Sequence, residues 1–483
     1  MDGSWLRLPH GGTRRLARAK AARRILCAGL GVVLAGAAAG CAGSPVSTGQ
    51  VRATTAASPS PVFISTTVPN AAVGMQLTWL LRAVADIPWS DQEIQAHFDP
   101  GFGSPADINA DTAPFGELVP TSGASLIGVL GQAGSDPDSL LAVASFGGVQ
   151  LTVNIAVDGA GLISGLWLMP YPYSWAQVDR QLGGMAPDVS LLAARVSPGG
   201  VCTPVHQVAA AAARPLGSMF KLFVLGALAH QIAAGRVSWN QELTVTDAVK
   251  SPGSGVLQDA PDGTQSSVLN TAGLMISVSD NTAADMLIGL VGRSAVEAQD
   301  RQWSDHAALN VPFLTTREAD LMRIIHYPAL ANRYLSLGPA QRAAFLASSV
   351  DSLPFIQAQV QNLSQAWTGP RDIDTLEWFA SPDDVCRAFA GLQRLAAQPA
   401  LASLGPILSA NDGGIEVDPA QWPTIWYKGG SEPGVLTMGY LATNSNGQTF
   451  VVVAMLSDPA APLPPSAVLE LQSIVQEAFE LVR

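Results

Sequence analysis

Lysine is almost missing from this chain. Its 483 residues hold four lysines against 22 arginines, and one of the four, Lys20, lies near the N-terminus. Arginine stays protonated under any condition a protein meets, whereas a lysine amine can lose its proton. Two of the remaining three lysines fall inside short motifs, Ser218-Met219-Phe220-Lys221 and Lys428-Gly429-Gly430-Ser431. Charge of either sign is also scarce: 13% of residues are charged and 48% are hydrophobic, which excludes global disorder and supplies material for packed cores. Seven of the basic residues and one acid lie in residues 1–40. The rest carries 19 basic against 37 acidic groups, a net near −18 that repels phosphate backbones and argues against nucleic-acid binding. The six histidines are scattered and no Cys/His group has metal-ligand spacing, so no metal and no cofactor are expected.

The basic charge is concentrated where an export signal would use it. Arg14, Arg15, Arg18, Lys20, Arg23 and Arg24 precede an apolar run over residues 25–39, which is too short and too alanine-rich for a membrane span. Arg23-Arg24 also fits a twin-arginine export route. The run ends at Gly40-Cys41 and resembles the bacterial lipobox, which implies that residues 1–41 are a lipoprotein signal. Cys41 would then be the lipidated first residue of a chain exported and anchored outside the cell membrane. A plain signal peptide cut near Ala42 is the alternative. Residues 42–70 are rich in Ser, Thr, Ala and Pro without a hydrophobic period and read as a tether, on the order of 30 Å as a random coil.

Length predicts two folded units. The first spans residues 71–182. Helical spacing covers 74–87, Ser90-Asp91-Gln92-Glu93 matches a capping box, and 124–130 reads as further helix. Strands at 150–157 and 162–169 flank Asp158-Gly159-Ala160-Gly161, a hairpin signal. Helices followed by an antiparallel sheet make a small α+β unit, whose order resembles the domains related to nuclear transport factor 2 and ketosteroid isomerase. The second unit spans 185–483. Strands at 189–195 and 206–211 lead to a helix beginning at Ser218. A long helical middle follows, then strands at 424–428, 435–443 and 448–456 and a helix over 466–481. Strands from both ends of this unit imply one α/β sheet with a large all-helical insertion. Cys202 and Cys386, 184 residues apart, either pair in an oxidising compartment or remain as two buried thiols.

Three short stretches carry the chemistry. Ser218 at a helix start with Lys221 one turn later puts a hydroxyl beside an amine, and free N–H groups at that end favour charge developing on oxygen. A desolvated lysine can accept the serine proton. Ser279-Asp280-Asn281 adds a hydroxyl able to relay a proton and an amide able to hold a carbonyl. Lys428-Gly429-Gly430-Ser431 ends a strand whose glycines, Gly430 among them, let a substrate backbone lie against the edge. Each stretch alone fits a cap or a turn; their joint order points to serine acyl transfer.

The set resembles the S-x-x-K, S-D-N and K-T-G motifs of class A β-lactamases and penicillin-binding proteins. Residues 271–288 (TAGLMISVSDNTAADMLI) look like that family throughout, and the 61-residue interval from Ser218 to Ser279 fits it. The resemblance covers 185–483 and implies a β-lactamase/transpeptidase-like fold. By the same resemblance Ser218 is the nucleophile, Lys221 the base, Ser279 the relay, Lys428 its electrostatic partner and Asn281 the amide binder. Ser431 would complete the oxyanion hole. Two departures stand out. Gly429 replaces the usual hydroxyl residue, and no Glu-x-x-Leu-Asn segment follows the second motif to activate deacylating water. Glu318 is nearest in position but reads as the end of a capping box begun by Thr315, and Glu377 reads as an exposed alternative. A small α+β domain, no deacylation loop and Tyr-Lys-Gly-Gly-Ser-Glu-Pro-Gly at 427–434 together resemble the cephalosporin-esterase-type proteins of clavulanate gene clusters. The implied activity is serine hydrolysis, with weak β-lactamase or esterase action on a β-lactam, ester or peptidoglycan peptide. A cell-wall D,D-peptidase and a catalytically silent binding protein are the alternatives.

Overall fold

The computed structural model describes Leu26–Cys27 and residues 63–482, apart from 117–118, 120–122, 132–137, 172–173, 325–326, 354–366, 416, 418 and 465–466. Cys41, most of the expected leader and most of the tether lie outside the described residues. The chain divides into two compact units between Pro172 and Tyr173.

In the first unit, α1 (Ala72–Ala83), α2 (Asp91–His97) and α3 (Pro105–Gly116) precede an antiparallel sheet. Its strands are β1 (Ser125–Gly131), β2 (Ser139–Phe146), β3 (Val149–Val157) and β4 (Ile163–Pro170), with Leu26–Cys27 paired parallel to β4 at the edge. The capping box forms as read: Ser90 Oγ accepts from Glu93 N, and Glu93 Oε2 accepts from Ser90 N at 2.9 Å. The expected hairpin also forms, and Asp158 Oδ1 holds its turn by accepting from Ala160 N and Leu162 N. The helix expected over 124–130 is instead strand β1. Gly128 and Gly131 weaken a helix there, and the ladder to β2 supplies the backbone partners.

The second unit begins with α4 (Trp175–Gly183), ahead of the expected boundary. Val178 and Leu182 on α4 are buried in this unit's core, which is why the helix belongs to it. Five antiparallel strands follow: β5 (Asp188–Val196), β6 (Cys202–Val208), β7 (Thr424–Glu432), β8 (Val435–Thr443) and β9 (Thr449–Ser457). They lie in the order β7-β8-β9-β5-β6, so strands from both ends of the unit share one sheet. Both faces are covered. Leu192, Ala194, Val451 and Val453 face the helical side; Leu191, Ala193, Val452 and Ala454 face α4 and the last helix, α11 (Ala467–Val482). Burial on two sides explains why β5, β8 and β9 read as continuous apolar runs rather than alternating ones. Strand β6 ends before 209–211, where a strand was expected. Ala209 takes a φ of 45° and turns the chain out of the ladder.

The helical insertion includes α5 (Lys221–Ala233), α6 (Val268–Ser277), α7 (Asn281–Val291), α8 (Arg293–Trp303), α9 (Thr316–Ile324) and α10 (Pro382–Ala396). Cys202 of β6 and Cys386 of α10 form a disulfide with their Cα atoms 6.4 Å apart, which settles the open question of their pairing. Closing a loop of 184 residues restricts the unfolded chain strongly. Reduction, or Cys386→Ala with Cys202→Ala, is expected to lower unfolding free energy by about 2–5 kcal/mol. Denaturant midpoints with and without reductant measure it, and an unchanged midpoint contradicts the expectation.

Candidate active site

The turn carrying Ser218 is a short 3-10 segment, Gly217–Phe220, that runs directly into α5. It is pressed against β7. A Cβ on Gly430 would collide with Leu216 O and sit 2.5 Å from Ser218 N, and one on Gly217 would sit 3.0 Å from Ser431 N. Only glycine allows this approach, and Gly217 also needs its φ of +51°. Thr437 Oγ1 of the adjacent β8 reaches both segments, 2.8 Å from Leu216 O and 3.3 Å from Gly430 O. The main-chain N–H groups of Ser218 and Ser431 are thereby brought side by side, the arrangement an oxyanion needs. Beneath the turn, the Phe220 ring stacks on Trp378 at 3.9 Å.

Lys221 is fully buried and its Nζ has four oxygens in reach. Ser279 O and Asn281 Oδ1 lie at 2.6 Å each, Ser218 Oγ at 2.9 Å and Ser279 Oγ at 3.2 Å. The first two are carbonyl oxygens and can only accept. A neutral amine donates to both and turns its lone pair toward the Ser218 hydroxyl. Burial pushes the Lys221 pKa down to about 7, against the opposing pull of Asp285, Asp280 and Asp320.

The Ser279-Asp280-Asn281 turn links α6 to α7. Ser279 adopts a φ of +57°, a left-handed conformation that costs a serine on the order of 1 kcal/mol or more. Asp280 holds it there: Oδ1 accepts from Ala283 N, and Oδ2 from Val256 N and Leu257 N. The result sets Ser279 Oγ between two lysines, 2.9 Å from Lys428 Nζ and 3.2 Å from Lys221 Nζ. Lys428 is buried, and both desolvation and Lys221 hold its pKa well below the usual lysine range. Asn281 Nδ2 donates to Pro252 O at 2.8 Å, leaving its second N–H for a carbonyl in the cavity that Asn281 lines. All the site residues read from the sequence in the second unit therefore converge. At Gly429 the space a side chain would fill is taken by the Tyr427 hydroxyl, so no hydroxyl residue could be accommodated without moving that ring.

Neither glutamate lines the cavity beside Ser218. Glu318 closes the capping box with Thr315 and pairs with Arg293 at 2.5 Å. Glu318→Gln is expected to lower stability by about 2–3 kcal/mol while leaving the lifetime of any serine adduct unchanged. Thermal unfolding and intact mass together separate these effects. Glu377, expected to be exposed, is buried and bonded to Arg323 at 3.0 Å; the neighbouring Leu376 and Trp378 pull this segment into the core. A carboxylate that does line the cavity beside Ser218 is Asp320, which the sequence reading passed over. Thr316, Asp320, Arg323 and Ile324 lie on one face of α9 and all line this cavity, of about 170 Å³. That spacing was the available signal.

The sequence model of the β-lactamase enzyme family matches residues 203–480, more than half of the chain. The chain belongs to the β-lactamase enzyme family. Among solved structures, it resembles a β-lactamase from Sphaerobacter thermophilus at 22% identity and a TM-score of 0.41, covering 64% of this chain and 96% of that one. PBP-A, at 18% identity and a TM-score of 0.41, covers 64% and 97%. A β-lactamase from Francisella tularensis, at 12% and 0.41, covers 63% and 97%. No curated protein sequence matches. The β-lactamase-like fold thus occupies the second unit, with its five-stranded sheet and helical insertion as expected from the motifs.

Proposed function

We propose that this protein is an exported serine hydrolase, tethered through a lipid on Cys41, that forms an acyl-enzyme on Ser218 and releases it slowly. The observation that carries the reading is the Lys221–Ser218 pair, with an amine whose other hydrogens are claimed by carbonyl oxygens. Ser218 Oγ attacks the carbonyl carbon of an ester or β-lactam while its proton passes to Lys221 Nζ. As the C–O or C–N bond breaks, Ser279 Oγ, between Lys221 and Lys428, passes a proton to the leaving group. Water then cleaves the acyl–serine ester and restores the hydroxyl. Slow release is supported by the carboxyls nearby: Glu318 and Glu377 do not line the cavity, and Asp320 and Glu432, which do, are engaged by Arg323. A cell-wall D,D-peptidase would use the same acylation step on a peptide.

The test is incubation of the protein with fluorescent penicillin, followed by intact mass over hours. The expected result is a one-to-one adduct that maps to Ser218 and persists. Failure of penicillin and simple phenyl esters alike to modify or consume the hydroxyl overturns the proposal and favours a silent binding protein.

A further inference from the structure

One wall of the cavity beside Ser218 carries more acid than base. Arg323 Nη1 donates to Glu432 Oε1 at 2.7 Å and to Glu377 Oε2 at 3.0 Å, and Nη2 lies 3.5 Å from Asp320 Oδ1. One guanidinium thus serves three carboxylates. Asp320, Arg323 and Glu432 line the cavity, and Glu377 is buried beside them. Arg323 is only 2% exposed, and its Nε–H has no partner among the described residues, while the Glu377 carboxyl also meets the Gly217 N–H and the Glu432 carboxyl. The network thus gathers three carboxyls around one guanidinium. The Trp367 ring covers the guanidinium at 5.0 Å and limits where else it can turn. Burial raises the pKa of all three carboxyls, that of Asp320 to about 7, although Arg323 opposes the shift in each.

The position of this wall says which part of a substrate meets it. Ser279 and Lys428, where a leaving group would collect its proton, do not line the cavity; Ser218, Asn281 and Ser431 do. The cavity therefore receives the acyl part, a conclusion that rests on the acyl-enzyme reading above. We propose that it selects acyl donors whose acyl part carries an ammonium group, with Glu432 and Asp320 determining that preference. An ammonium beside Asp320 and Glu432 favours their ionised forms, which burial otherwise disfavours, and its hydrogens are accepted by carboxylate oxygens that share a single guanidinium. An acyl part bearing its own carboxylate meets acids that already outnumber their cation.

Benzylpenicillin and ampicillin differ by one ammonium on the acyl side chain and provide a matched pair. The second-order rate of adduct formation, read by intact mass, is expected to be about tenfold greater for ampicillin. Glu432→Gln and Asp320→Asn should each bring that ratio toward one. The wild-type ratio stands as a test even where a variant folds poorly. Equal wild-type rates, or a ratio untouched in both folded variants, overturn the selectivity while leaving serine acylation intact. No adduct from either compound overturns the acyl-enzyme reading and this inference with it.

Discussion

Ser218→Ala abolishes the covalent penicillin adduct and lowers ester turnover by on the order of 10⁴-fold or more. The size of the effect follows from the geometry. Two hydroxyls approach Lys221, but only Ser218 Oγ, at 2.9 Å, also lines the cavity and adjoins the N–H of Ser431. Ser279 Oγ lies slightly farther from the amine, at 3.2 Å, is held by Lys428, and does not line the cavity that Ser218 lines. A carbonyl placed at Ser218 has both a nucleophile and a site for its oxyanion; one placed at Ser279 has neither in the right relation. Ser279→Ala is therefore expected to slow acylation by about 10²-fold and to leave the adduct on Ser218. Ser218 caps nothing, but its Oγ bonds the buried Lys221 amine, so Ser218→Ala should shift stability by about 1 kcal/mol. Intact mass, steady-state hydrolysis and thermal unfolding on the same preparations test these outcomes. A Ser218→Ala protein that still acquires a penicillin mass would assign the nucleophile elsewhere.

The parts legible in the sequence were those where a local pattern reports a local cause. The sheet strands showed themselves as apolar runs because both faces are buried, and Val435–Thr443 was bounded correctly. Ser218 and Lys221 could be paired because one helical turn fixes their distance whatever the rest of the chain does. Thr315 and Glu318 were legible as a cap for the same reason. What stayed hidden depends on contacts between distant residues. Gly429 looked like a deleted hydroxyl, whereas the Tyr427 ring takes that space. Strand β1 was misread as helix because its apolar residues make sense only beside β2. The Arg323 cluster joins acids 54 and 109 residues away, and no spacing announces it. Asp320 lay in view on a helix face, but the sequence reading went no further there than the capping box formed by Thr315 and Glu318.

Lys221→Met is the second large loss, with acylation of Ser218 expected to fall about 10³-fold. Methionine keeps the length of the side chain and its burial among Phe220, Ser279 and Asn281, but provides no lone pair of comparable basicity. Stability also responds. Two carbonyl oxygens lose a donor and the Ser218 hydroxyl loses an acceptor while a buried amine is removed, so the two effects oppose each other. The decisive readout is the pH profile. Only the neutral amine accepts the serine proton, and Lys221 loses its own proton near pH 7. Wild-type acylation should therefore rise about tenfold per pH unit below 7 and level off above it. The charged groups acting on this amine are Asp285, Asp280 and Asp320, which stabilise its protonated form, while the neighbouring Lys428 has its own pKa held down by burial and by Lys221. Asp320 titrates in the same range and could imitate the limb. The two variants separate them: Asp320→Asn retains a rising limb because the amine is still present, though moved to lower pH by loss of a stabilising charge. Lys221→Met leaves a flat residual rate. A limb that survives in Lys221→Met and disappears in Asp320→Asn would transfer the role of base from the lysine to the aspartate.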